Sequence, residues 1–148
     1  MRVSEVMTRN VRIATPDQTL QEAARMMADV DASILPVGDG DRLVGMITDR
    51  DIAVRAVAAG NGPRTPVREV LANEVKYCVE DNDTRDVACN MAEIQVRRLP
   101  VNNRDKRLIG IIALGDIART EGGRPAGEAL SGISELDGSH SQTGGERT

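Results

Sequence analysis

RLVGMITDRDIA, residues Arg42 to Ala53, returns as RLIGIIALGDIA, residues Arg107 to Ala118. Each stretch runs from an apolar segment broken by one glycine into an acid followed by Ile and Ala, the pattern of a strand that delivers the chain into a helix. Working outward, LPV at Leu35 returns at Leu99, and VSEVM at Val3 returns as VREVL at Val67. The offset is 64 residues for these outer matches and 65 for the strand-to-helix stretch, so one residue has entered the turn ahead of its second occurrence. Register kept this well identifies one module present twice.

The repeats divide the chain into a first unit, residues 1–60, a linker, 61–66, and a second unit, 67–121. Gly60, Gly62, Pro63 and Pro66 interrupt any periodic pattern at the linker. From residue 122 there are seven glycines in 27 residues and few large apolar groups, which predicts a flexible C-terminal tail over 122–148. The single histidine, His140, falls in that tail, where solvation is the simpler expectation than a ligand role. Units of roughly 60 residues bury too little surface to be secure alone, so the two are expected to pack face to face around one core.

Composition narrows the partners. With 19 basic against 23 acidic residues the net charge is -4, and neither a basic block nor interleaved aromatics are present, which argues against nucleic acid. No segment has the roughly 18 consecutive apolar residues of a membrane span, and the opening MRVSEVMTRN lacks the apolar run of a secretory signal. The expectation is a cytoplasmic protein with no membrane partner. Cys78 and Cys89 lie 11 residues apart with no other Cys or His near them, the pattern of reduced thiols rather than a disulfide framework or zinc site.

Each copy supports the reading of the other. Val11 and Ile13 form a short extended piece, after which Asp17 or Thr19 caps a helix carrying Leu20, Ala23, Ala24, Met27 and Val30 at helical spacing. In the second copy Val75, Tyr77 and Val79 alternate as a strand, and Asp83 with Asp86 caps a helix carrying Val87, Ala88, Met91 and Ile94. A hairpin follows in each: Leu35 to Val37 with Leu43 to Ile47, and Leu99 to Val101 with Leu108 to Ile112. A final helix closes each unit. The first of these is apolar around most of its circumference, at Ile52, Ala53, Val54, Ala56, Val57 and Ala58, which predicts contacts on more than one side. The fold class is therefore α/β (α+β), strand, helix, strand, strand, helix in duplicate, with Met26, Met27 and Met91 as core fillers. Apolar faces left over on the final helices predict a homodimer with helices in its interface.

Chemistry is to be sought where strand meets helix. Thr48 stands where a helix begins and Asp51 three residues later, the spacing of a capping box that needs no ligand. The same arrangement also suits a nucleotide, because free N–H groups and a hydroxyl at a helix start accept phosphate, and a carboxylate takes both hydroxyls of a ribose. The second copy keeps the acid, Asp116, and replaces the hydroxyl by Ala113. An acid kept without its reciprocal partner points to a task beyond capping, although shared ancestry of the repeats also accounts for it.

Both copies resemble CBS domains, named for the regulatory region of cystathionine beta-synthase, over Val3 to Arg119. The chain as a whole is similar to small stand-alone bacterial proteins made of one CBS pair, or Bateman module. The resemblance implies a pseudo-two-fold pair enclosing two clefts that bind adenosine ligands such as AMP, ADP, ATP or S-adenosylmethionine, with no obligatory cofactor. It assigns Asp51 and Asp116 to ribose, Thr48 to ribose or phosphate, and Ala14, Thr15, Ile34, Leu35 and Pro36 to the walls of the first base pocket. Arg50, Arg97 and Arg98 are candidate phosphate contacts, since guanidinium forks suit phosphate oxygens, with solvation or acid pairing as the alternative. Ala113, Leu114 and Gly115 depart from the family pattern, so the cleft at Thr48 and Asp51 is expected to be the tighter.

Catalysis is disfavoured. Residues 1–121 hold no histidine, neither cysteine has an activating neighbour in sequence, and Asp49 and Asp51, two apart on a helix start, point in different directions. The expected function is ligand sensing in trans on a protein target that the sequence does not name. The alternative is a protein-interaction scaffold with empty clefts and no physiological nucleotide.

Overall fold

The computed structural model describes residues 1–71 and 75–134. His140 and the tail beyond Ser134 lie outside the described residues. The elements run in the order α1 (Val3–Val6), α2 (Leu20–Val30), β1 (Ile34–Asp39), β2 (Arg42–Thr48), a π-helix (Asp51–Val57), a 3-10 turn (Val67–Glu69), β3 (Cys78–Val79), α3 (Thr84–Ile94), β4 (Arg98–Asn102), β5 (Leu108–Ala113), α4 (Leu114–Glu121) and α5 (Gly123–Ile133).

The paired helices begin where the caps predict. The Thr19 hydroxyl accepts from the Glu22 N–H at 3.1 Å, and the Asp83 carboxylate from the Arg85 N–H at 2.8 Å. Both helices end on a left-handed residue, Asp31 (φ 51°) and Gln95 (φ 59°). The hairpins also form, β1 against β2 antiparallel with Ile34 opposite Thr48 and Pro36 opposite Met46, and β4 beside β5. Gly40 (φ 64°) supplies the positive φ that the tight first turn demands. The expected strand at Val75 to Val79 is short: only Cys78 and Val79 pair, parallel to β4. Its counterpart in the first copy is a single bridge, Ala14 to Val37.

The compact units are not the sequence repeats. Among the described residues, one comprises those of Asn10–Lys76 with Asp105–Leu108, and the other those of Met1–Arg9, Tyr77–Arg104 and 109–134. The opening segment of each repeat is therefore built into the core formed by the other repeat. Val3, fully buried, packs with Val87, Met91, Leu99, Val101, Ile112 and Ile117, whereas Val67 and Val70 pack with Leu20, Met27, Leu35, Val37 and Ile47. Burial of aliphatic side chains, worth about 1.5–3 kcal/mol each, holds these segments in place. A glycine marks each crossing. A methyl at Gly110 would meet the Thr8 carbonyl oxygen at 2.6 Å, where Thr8 and Ile111 exchange two backbone hydrogen bonds (2.8 and 3.0 Å). A methyl at Gly45 would meet only the Leu71 side chain, at 3.4 Å.

One further expectation is corrected. The tail predicted from residue 122 contains α5, whose Ala126, Ala129 and Ile133 are buried in the core that holds Val3. Small residues, not large ones, make that contact: Gly132 approaches Ala92 so closely that an added methyl would lie 2.8 Å from its Cβ. The first closing helix is wound wider than an α-helix, with the Ala58 N–H reaching the Ala53 carbonyl (3.0 Å) and the Asn61 N–H the Ala56 carbonyl (2.9 Å). Of its residues only Ala56 is buried, and Val54 and Val57 are 51% and 64% exposed. The apolar circumference thus leaves an open face in the single chain.

Candidate functional site

Strand β1 sorts the predicted wall residues by pleat. Leu35 and Val37 point into the core of their unit, while Ile34 and Pro36 lie on the opposite face, beside Thr48 and Met46 of β2. Ala14, fully buried, joins the core cluster, its N–H donating to the Pro36 carbonyl at 2.9 Å and its own carbonyl accepting from the Gly38 N–H at 2.8 Å. Leu35 and Ala14 therefore shape the site from behind; their side chains do not line it. Thr15 is exposed just beyond, its N–H held by Gln18 at 2.9 Å.

Thr48 ends β2 and fixes the start of the next helix. The Asp51 N–H donates to the Thr48 hydroxyl at 3.0 Å, and the Thr48 N–H donates to Asp51 Oδ2 at 2.9 Å, a complete reciprocal box. Asp51 Oδ1 stays near the surface, 4.0 Å from Arg55 one turn on, with the carboxylate 22% exposed. Arg50 is exposed, and its N–H is tied to Asp49 (2.8 Å). A polar edge of Thr48, Asp51 and Arg50 thus lies beside the strand face that carries half-buried Ile34 and buried Pro36, within one unit. Sequence reasoning passed over Met46 and Arg55; strand alternation and the i,i+4 spacing from Asp51 are the signals that would have found them.

The second junction repeats half of this. Asp116 Oδ2 accepts from the Ala113 N–H at 2.9 Å, so the cap survives without a hydroxyl. A backbone N–H thus gives the retained acid a capping task at this junction, as the Thr48 N–H does for Asp51 at the first. Asp116 Oδ1 pairs with Arg119, leaving both oxygens engaged. Leu114, in the place of Asp49, is buried. Arg97 and Arg98 are exposed at the start of β4, with the Arg97 carbonyl accepting from the Leu114 N–H at 2.8 Å.

Cys78 is buried, and burial pushes its thiol up to about 12, the state of an inert core thiol. Cys89 is exposed, and neither is in a disulfide. Among the described residues no group of three or more His, Cys, Asp or Glu is placed to hold a metal ion, and no helix is long and apolar enough to cross a membrane.

Comparison with known proteins matches the CBS domain to residues 3–57 and again to 67–123. The CBS domain-containing protein YhcV of Bacillus subtilis is 41% identical over 133 residues, 89% of this chain and 94% of that protein. The crystal structure of Hypoxic Response Protein I, which carries two coordinated zinc ions, is 37% identical with a TM-score of 0.75, over 81% of this chain and 98% of that one. The CBS pair of protein MJ0100, in complex with 5'-methylthioadenosine and S-adenosyl-L-methionine, is 28% identical with a TM-score of 0.73, over 84% of this chain and 98% of that one. The fold these proteins share is regulatory, not catalytic. Two matches in one chain, at the positions the internal repeat marks out, make this protein a member of the CBS-domain family, built as a tandem pair.

Proposed function

We propose that this chain is a cytoplasmic regulatory module that binds an adenosine-containing ligand, AMP, ADP, ATP or S-adenosylmethionine, and acts in trans on a protein target as a homodimer. The observation that carries the reading is the first junction, where Thr48, Asp51 and Arg50 border the Ile34 and Pro36 face. Such an edge offers a carboxylate to ribose hydroxyls, a hydroxyl and a guanidinium to phosphate, and the half-buried Ile34 side chain to a base. The adenosine ligands held by the CBS pair of MJ0100 support the ligand class. Arg97, Arg98 and Asp116 form the corresponding but weaker candidate, since Asp116 is already engaged by Ala113 and Arg119. A bound ligand regulates only by binding two conformations unequally. Exposed Val54 and Val57 support helices at the dimer interface.

One observation favours the scaffold reading: Thr48 and Asp51 satisfy each other without any ligand. Calorimetric titration of ligand-free protein with the four compounds separates the two readings. Saturable micromolar binding, one site tighter than the other, supports the sensor; silence across the set leaves the scaffold and a helix cap.

A further inference from the structure

Asn61 is the one asparagine in the chain that glycine follows. It stands between the π-helix and a turn, its own N–H donating to the Ala56 carbonyl (2.9 Å) and the Gly62 carbonyl accepting from the Thr65 N–H (3.2 Å). Among the described residues, nothing bonds to the Asn61 side chain or to the Gly62 N–H. Gly62 is exposed, and a methyl added there would meet no atom beyond its chain neighbours within 4 Å. Other asparagines are held: the Asn82 side chain accepts from the Val79 N–H at 2.8 Å, Asn90 lies within α3, and Asn102 is buried. Just past Gly62, the Pro63 and Thr65 carbonyls accept from the Gln21 (3.1 Å) and Leu20 (2.9 Å) N–H groups, donors that a helix start leaves unsatisfied.

We propose that Asn61 is a site of self-modification whose isoaspartyl product loosens the start of α2. The Gly62 nitrogen, its proton taken by hydroxide, attacks Asn61 Cγ and closes a five-membered succinimide. The Cγ–Nδ2 bond breaks, and the amide leaves as ammonia with a proton from water. Water then opens the ring at either carbonyl, giving aspartate or isoaspartate, with no oxidation or reduction. Glycine favours the step because no side chain shields its nitrogen and its backbone reaches the ring geometry without strain. Both products add one negative charge. Isoaspartate also routes the main chain through Cγ, which lengthens it by a methylene immediately ahead of the two carbonyls that cap α2. The Val67 N–H on the Gln18 carbonyl (2.8 Å) and the Arg68 N–H on the Pro16 carbonyl (3.0 Å) fix the far end of the segment, so the added length falls on the caps.

The test ages the full chain at mildly alkaline pH and separates the more acidic fraction by ion exchange. Peptide mapping with electron-transfer fragmentation, which tells isoaspartate from aspartate, then locates the change. Conversion is expected to centre on Asn61 and to slow about tenfold or more in Gly62→Ala, whose methyl the fold accommodates. Equal conversion in Gly62→Ala, or an acidic fraction modified elsewhere, overturns the site. Hydrogen exchange next compares the isoaspartyl fraction with Asn61→Asp, which carries the charge on an unlengthened chain. Protection of the Leu20 and Gln21 amides is expected to fall only in the isoaspartyl fraction. Unchanged protection, or an equal loss in Asn61→Asp, overturns the loosening.

Discussion

The two copies hold the same acid in the same hydrogen bond at the same place, and yet they are not equivalent. At the first junction a threonine hydroxyl completes the box and the second carboxylate oxygen is left only loosely engaged, 4.0 Å from Arg55. At the second, Arg119 takes that oxygen and alanine replaces the hydroxyl. A duplicated capping motif keeps its structural half cheaply, because the backbone supplies the donor. The side chains around it are free to diverge.

The largest expected contrast concerns the two crossing glycines. Gly110→Ala forces a methyl against the Thr8 carbonyl oxygen, part of a backbone pairing that cannot yield locally, and is expected to cost about 1–3 kcal/mol. Gly45→Ala meets a movable leucine and is expected to cost less than about 1 kcal/mol. Urea unfolding of both variants ranks them, and equal losses would mean that the two crossings are equally tight.

Ligand binding gives the next contrast. Asp51→Asn is expected to weaken adenosine-ligand binding by about tenfold or more, about 1.4 kcal/mol, and Asp116→Asn to leave the tighter site untouched. Calorimetry that finds the two substitutions equally harmful would erase the distinction between the junctions.

Exchanging the hydroxyl sharpens the comparison further. Thr48→Ala should cost about 1 kcal/mol of stability through the lost bond to the Asp51 N–H. Ala113→Thr should recover part of that amount and tighten the weaker site, read by thermal unfolding and by titration.

The smallest effect is in the helix caps. Asp83 is held below the usual carboxylate range, first by the Arg85 N–H it accepts from, whereas its counterpart Thr19 does not titrate. With its folded value depressed, the Asp83 contribution is fully present above the unfolded value of about 4 and is lost as pH falls through the lower folded value. Acid should therefore release the Arg85 amide to exchange ahead of the Glu22 amide.

What the sequence made legible was local. Thr19 and Asp83 as caps, Ile34 through Thr48 as a hairpin, and Thr48 with Asp51 as a box all follow from spacings of a few residues. Helix α5 was missed because its core face is built from alanine and glycine, which carry little hydrophobic signal. Pro125 in its first turn, with Ala126, Ala129, Leu130 and Ile133 at helical spacing, was the pattern available. The inward turn of Leu35 and Ala14 was hidden because either register of a short apolar strand reads alike. The exchange of opening segments had no local signature at all, since VSEVM and VREVL carry their apolar residues at the same spacing.

That exchange binds the fate of the two halves together. Expressed alone, residues 1–60 would leave Leu35, Val37 and Ile47 without Val67 and Val70, and the second half would lack the Val3 that seals Met91 and Ile112. A gene duplication that swaps its ends in this way acts as a ratchet. Neither copy can afterwards be deleted, and each can drift in function while the other keeps it folded.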